Sequence, residues 1–398
     1  MTAPVVIVGA AMGGLRTAEA LRKAGYLGEI SIIGDEVHAP YNRPPLSKDV
    51  LSTEVTHDAV AFPARAETAD VEWMLGSPVT STDLSAHTVT TAAGNQVPWS
   101  ALVIATGLRP RRLDFAPLAG RHAVRSLDDA MALRAELVPG TRVVVVGSGF
   151  LGCELAATAT KLGCTVTIVS PSAEPMIRPL GVMLGAELGR RLEADGVEVL
   201  RLTGVAGLTG DGRITAVELD SGRTISADVV IEAIGSDCNT EWLATTGLDL
   251  SDGVLADNAL RAVGLDGSVH DDVYVVGDVA RFPNPMFDMV PRRVEHWNIP
   301  TDTGKRAGAV LAARFDGTFD TVAASPFAPM PSFWSNQFDT KVQAYGLPGL
   351  ADEVRILEGE LSGDVAVGYF RAGALVGVVG VGLKAALLPY RQRIAEGP

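Results

Sequence analysis

The chain has 398 residues, 47% of them hydrophobic, and sets 33 Lys+Arg against 47 Asp+Glu for a formal net charge of −14. That length exceeds one typical domain, and the apolar content can fill more than one core. The acidic balance argues against overall attraction to nucleic acid or to an anionic membrane, and leaves room only for a local basic patch.

The first element is the run "VVIVG", followed by a turn of small residues and the stretch "GLRTAEALRKAG". Leu15, Ala18, Leu21 and Ala24 recur at helical spacing, so an amphipathic helix is expected there. A second strand, "EISIIGDE", completes a strand–helix–strand unit. Gly9, Ala11 and Gly14 occupy the three positions of a glycine fingerprint, with Ala11 in place of the middle glycine. Asp35 and Glu36 follow at about the distance, ~20 residues, where a ribose hydroxyl needs an acceptor. The unit therefore reads as a dinucleotide cradle.

The next apolar strand, "ALVIATG", ends in Ala105, Thr106 and Gly107, beneath the place where the first nucleotide would lie. A second and cleaner fingerprint begins at "RVVVVGSGFLG", with Gly147, Gly149 and Gly152 between a strand and the helix "LGCELAATATKLG". Backbone N–H groups and the positive helix end can face a diphosphate at such a turn. One fingerprint is weak evidence, whereas two complete units are strong evidence for two nucleotide sites. Later, "VYVVGDVARF" places Asp278 at the carboxyl end of a strand, where α/β ligands gather, although a solvated turn aspartate would look the same. The order is cradle, excursion, second cradle and return, which suits a nested insertion. Beyond Phe327 the pattern changes to alternating runs and a closing helix "LKAALLPYRQRI" that Pro389 should break.

Cys153, Cys164 and Cys238 form no metal-type or disulfide-type pair, and the six histidines are scattered, so no metal site is expected. "MTAPVVIVGA" shows no secretory pattern, and Ala374 to Pro389 is too short and too interrupted to span a bilayer. A soluble, cytoplasmic protein is expected.

The stretches "GDEVHAPYNRPPLSK", "LVIATG", the second fingerprint with Glu154, "VYVVGDVARF", "RVEHWN" and "FWSNQFDTKVQ" occur in one order. Together they resemble the FAD-dependent, NAD(P)H-using ferredoxin reductases of oxygenase systems, across nearly the whole chain. "PYNRPPLSK" and "FWSNQFD" are the most specific pieces. The resemblance implies an α/β fold of two Rossmann-like domains, nested as in glutathione reductase, with a small α+β C-terminal domain. The implied boundaries are 1–112 with 244–326 for FAD, 113–243 for NAD(P)H, and 327–398. It also implies hydride transfer from NADH or NADPH to FAD, then single electrons to an iron–sulfur ferredoxin.

On the same basis FAD would meet Gly13 in the first turn, Asp35 at the ribose, Arg43, Lys48, Val79, Arg125, Asp278 and Trp297. The coenzyme would meet the second turn, Ser170 and Gly235. Glu154 would face the nicotinamide carboxamide and can pair with Lys48, while Trp334 would lie near the flavin edge. From the residues alone, Lys48 could cap a turn, Glu154 could complement a helix dipole, and Trp334 could be core packing. Ser170 stands where many NADH-using relatives carry a glutamate, and no arginine pair follows to hold a 2′-phosphate, so the residues leave the coenzyme open; NADH is what the resemblance implies, with dual use open. No cysteine accompanies "YNRPPLSK", which argues against a thiol-based reductase. Arg109, Arg111, Arg112, Arg292 and Arg293 are candidates for steering an acidic ferredoxin. A flavin-binding redox sensor, or a donor to rubredoxin or quinone, are the alternatives.

Overall fold

The computed structural model describes residues 3–397. The chain clusters into two compact units, each assembled from separate segments. The first comprises residues up to Asn42, His57–Arg109 and Cys238–Pro331. The second comprises Arg43–Thr56, Pro110–Asp237 and residues from Ser332 onward.

In the first unit a six-stranded sheet runs in the order Arg261–Val263, Val269–Val275, Ala101–Ile104, Val5–Val8, Ile30–Ile33, Glu72–Met74. Its inner pairings are parallel, in register Val5 with Ile30 and Val5 with Ala101. Val5–Val8, Ile30–Ile33 and Ala101–Ile104 are buried along their whole length, the mark of parallel strands covered on both faces. The helix Met12–Lys23 buries Leu15, Ala18 and Leu21 as the period requires. Ala24 does not join that face. It is the exposed C-cap, because the helix stops one residue earlier. The helix Ile299–Asp316 approaches Met12–Lys23 closely, and a methyl on Gly308 would sit 2.6 Å from Ala20 Cβ.

The second unit holds a parallel five-stranded sheet ordered Glu198–Leu200, Thr165–Val169, Arg142–Val146, Val229–Glu232, Arg121–His122. Val144, Val146, Val169 and Val230 pack beneath the antiparallel strands that carry Ile214, Val217 and Leu219. The C-terminal residues add a five-stranded antiparallel sheet, Ser332–Gln337, Thr340–Gly346, Ala374–Val381, Val365–Arg371, Glu353–Gly359. Pro389 does not break the last helix. It sits in the first turn of Leu388–Glu396, where a missing N–H costs nothing.

Candidate active site

In the first unit, strand Val5–Val8 runs into Gly9 at φ +123°, a conformation closed to other residues, and a Cβ there would fall 2.1 Å from the Ala105 carbonyl oxygen. A Cβ on Gly14 would fall 2.1 Å from the Gly9 oxygen, and one on Gly13 would lie 3.3 Å from Val276. The structure thus brings the Ala105–Thr106 strand end and the Val276–Gly277 strand end against the first turn. Thr106 is pinned there by exchange with Asn239, donating to its carbonyl at 2.7 Å and accepting from its side chain at 2.9 Å. Gly107 takes φ +61°. Ala11 is the helix N-cap and brings no side-chain acceptor, so the helix end is not self-capped.

Asp35 is exposed just beyond strand Ile30–Ile33, and Glu36 accepts from the Tyr41 hydroxyl at 2.5 Å. Asp278 lies in the one-turn helix Gly277–Val279, and its carbonyl accepts from Arg293 at 3.2 Å. Trp297 is 41% exposed and donates to Asn42 Oδ1 at 3.2 Å. Val79, itself half-buried, opens the largely exposed strand Val79–Asp83.

The second unit repeats the design. Gly147 takes φ +106°, and a Cβ would fall 2.3 Å from the Ala233 oxygen; on Gly152 it would fall 2.2 Å from the Gly147 oxygen. Gly149 is the N-cap of helix Phe150–Lys161, and a methyl there would meet none of the described residues within 4 Å. The open side of this turn is therefore where an anion would approach the helix end. Ser170 is buried, and its hydroxyl oxygen accepts from Ser148 Oγ at 2.8 Å and from the Ser172 N–H at 3.2 Å. It braces the glycine turn. Gly235, at φ +102°, accepts the Arg111 N–H at 3.0 Å.

Lys48 and Glu154 meet. Lys48 Nζ lies 2.5 Å from Glu154 Oε2, with the glutamate only 7% exposed on helix Phe150–Lys161. Ser47 Oγ donates to the same oxygen at 2.7 Å, while Ser335 Oγ at 2.9 Å and the Asn336 N–H at 3.3 Å serve Oε1. Thr158, one helical turn after Glu154, donates to the Ser47 carbonyl at 2.7 Å and holds the Pro44–Ser47 turn against the helix. Arg43 donates to the Arg125 carbonyl, and the Arg125 N–H donates to Asp129, whose helix Ser126 caps. Neither Ser47 nor Ser335 bears a sequence signal that marks it as a partner of Glu154, although they stand inside "PYNRPPLSK" and "FWSNQFD". Trp334 is half-buried, and strand alternation turns it to the face opposite Phe333, Ser335 and Gln337, so its ring does not join the glutamate's donors.

Burial, with a smaller contribution from neighbouring Glu154, pushes the Cys153 thiol up to about 12. It is not a nucleophile at neutral pH.

The candidate docking arginines all pair with acids. Arg109 pairs with Glu241 at 2.6 Å, Arg111 with Asp237 at 2.8 Å, and Arg292 with Asp288 at 2.5 Å. Arg293 reaches both Asp252 and Glu295. Arg112 shares the buried Glu232 with Arg121, which also ties down the carbonyls of Leu113 and Phe115. Composition reveals charges but not their partners.

Residues 3–304 match the family model for pyridine nucleotide-disulphide oxidoreductases, and 332–398 match that for the reductase C-terminal domain. The anthranilate 1,2-dioxygenase system ferredoxin–NAD(+) reductase component of Burkholderia cepacia is 34% identical, over 99% of this chain and 97% of its own length. Rhodocoxin reductase of Rhodococcus erythropolis is 32% identical, over 95% and 86%. Among solved structures, the covalent putidaredoxin reductase–putidaredoxin complex superposes with a TM-score of 0.90 at 27% identity, covering 99% of this chain and 93% of the other. With a family model spanning most of its length, the chain belongs to the pyridine nucleotide-disulphide oxidoreductase family.

Proposed function

We propose that this chain is an FAD-dependent NAD(P)H:ferredoxin oxidoreductase that supplies an oxygenase system, as its similarity to the Burkholderia and Rhodococcus reductases suggests. The observation that carries the reading is the pair of glycine turns, one in each unit, in which Gly9 and Gly147 tolerate no Cβ and the N-caps Ala11 and Gly149 supply no side-chain acceptor. Such turns suit two diphosphates.

The first turn fits FAD, with Asp35 near the ribose and Asp278 toward the diphosphate or ribityl chain. When bound, FAD accepts a hydride from NAD(P)H and returns electrons singly, the conversion that an iron–sulfur partner requires. The second turn takes the coenzyme, and Glu154, held by Lys48, accepts from its carboxamide. NADH is the preferred donor in this reading because the Burkholderia relative is a ferredoxin–NAD(+) reductase component, while Ser170, in place of an acid, leaves use of NADPH open. No helix among the described residues is long and apolar enough to cross a membrane, and a cytoplasmic location belongs to the proposal. So does the division into an FAD domain at 1–112 and 244–326, a coenzyme domain at 113–243 and a C-terminal domain at 327–398.

The test is stopped-flow mixing of the purified yellow protein with NADH and with NADPH, then cytochrome c reduction with and without a ferredoxin. Fast bleaching with carrier-dependent turnover is expected. Fast bleaching that no carrier can exploit would favour a redox sensor, and protein that stays colourless after reconstitution with FAD would end the proposal.

A further inference from the structure

We infer that Ser335 is a positioning residue for Glu154, so that the C-terminal strand Ser332–Gln337 sets the aim of the carboxylate that reads the coenzyme. The inference rests on the assignment of Glu154 to the nicotinamide carboxamide. An ionised carboxylate offers about four acceptor sites. Glu154 is approached on both oxygens, by Lys48 and Ser47 on Oε2 and by Ser335 on Oε1, where the Asn336 N–H at 3.3 Å is the longest of the contacts and the one a carboxamide N–H would replace. Donors on both oxygens hold the plane of the carboxylate more firmly than donors on one.

Ser335 has one hydroxyl hydrogen, and its direction is set from behind. Gln337 Nε2 donates to Ser335 Oγ at 3.2 Å, which leaves the serine hydrogen for Glu154. The same amide nitrogen lies 3.2 Å from Met176 Sδ, and the Met176 N–H donates at 2.8 Å to the carbonyl of Ser148 in the second glycine turn. Gln337 and Met176 are each 2% exposed and Ser335 is fully buried, so the chain is shielded from competing water. It joins the phosphate end of the coenzyme site to the carboxylate at its other end.

The experiment uses the FAD-loaded protein and calorimetric titration with NAD+ and with ADP-ribose, which lacks the nicotinamide. Ser335→Ala should weaken NAD+ roughly tenfold, within the range for losing a hydrogen bond to a charged group, and leave ADP-ribose unchanged. Ser335→Thr should restore NAD+ binding. Equal weakening of both ligands would mean general damage to the fold and overturn the inference. So would unchanged NAD+ binding in Ser335→Ala while Glu154→Gln weakens it. If Glu154→Gln itself leaves NAD+ binding intact, the underlying assignment of Glu154 fails instead. Should Ser335→Ala not fold, Ser335→Cys, similar in size but a weak donor, is read by the same criteria.

Discussion

Lys48 and Glu154 stand 106 residues apart in sequence, yet the ammonium donates to the carboxylate at 2.5 Å. The pair is mostly out of solvent, with side chains 21% and 9% exposed. Removing one partner of a buried pair costs about 3–5 kcal/mol, because the survivor keeps its desolvation penalty. Three further donors serve Glu154, so Lys48→Met should cost less, about 2–3 kcal/mol. Urea unfolding of the variant measures this directly. A midpoint within error of the wild type would mean that the ammonium adds nothing to the serine and backbone donors.

Arg111 and Asp237 are about half exposed, at 53% and 43%, and such a pair contributes about 0–1 kcal/mol to stability. Its members can therefore be altered separately. If Arg111 helps steer an acidic ferredoxin, Asp237→Asn should unmask it and lower the ferredoxin KM. Arg111→Glu should raise that KM several-fold at low salt, with NADH–ferricyanide turnover unchanged in both variants. Shifts in the same direction for the two substitutions would exclude this arginine from docking.

The glycine turns were legible in the sequence because their cause is local. Gly9 and Gly147 need a backbone conformation that only glycine adopts readily, and the adjoining strands and helices advertise themselves by period. The donors around Glu154 were not legible. Ser335 reaches it across 181 residues and Ser47 across 107, and neither residue type announces a buried partner. The resemblance supplied Lys48 and Glu154 and passed over the serines. The same limit explains the arginines, since Arg111 meets Asp237 only after 126 residues have folded between them. Pro389 shows a subtler limit, as its effect depends on whether the helix starts before it or at it.

Burial pushes the His296 imidazole down to about 4 from its usual 6.5, and its Nδ1 is shut off from solvent. The folded protein thus holds the ring neutral while the unfolded chain protonates below 6.5. The resulting stability is present above pH 6.5 and is lost as pH falls through 4, by about 3 kcal/mol in all. His296→Gln should flatten that portion of the profile. Thermal unfolding at pH 7 and pH 4.5 tests it, and parallel losses in variant and wild type would show that the ring protonates equally in both states.

Gly149 separates ligand from fold. Gly147→Ala would force a methyl to 2.3 Å from the Ala233 oxygen at a positive φ, so it should damage the turn itself. Gly149 takes φ −75°, which any residue adopts, and its added methyl meets none of the described residues within 4 Å. Gly149→Ala should therefore leave thermal stability within about 0.5 kcal/mol of the wild type. The space it fills is where a diphosphate must come close to the helix end, so coenzyme affinity should fall by about one to two orders of magnitude. FAD content should not change, because the first turn lies elsewhere in the chain and keeps its own glycines. Titration with NAD+ and the flavin absorbance of the purified variant give the two readings. Loss of flavin with NAD+ binding intact would reverse the assignment of the two turns.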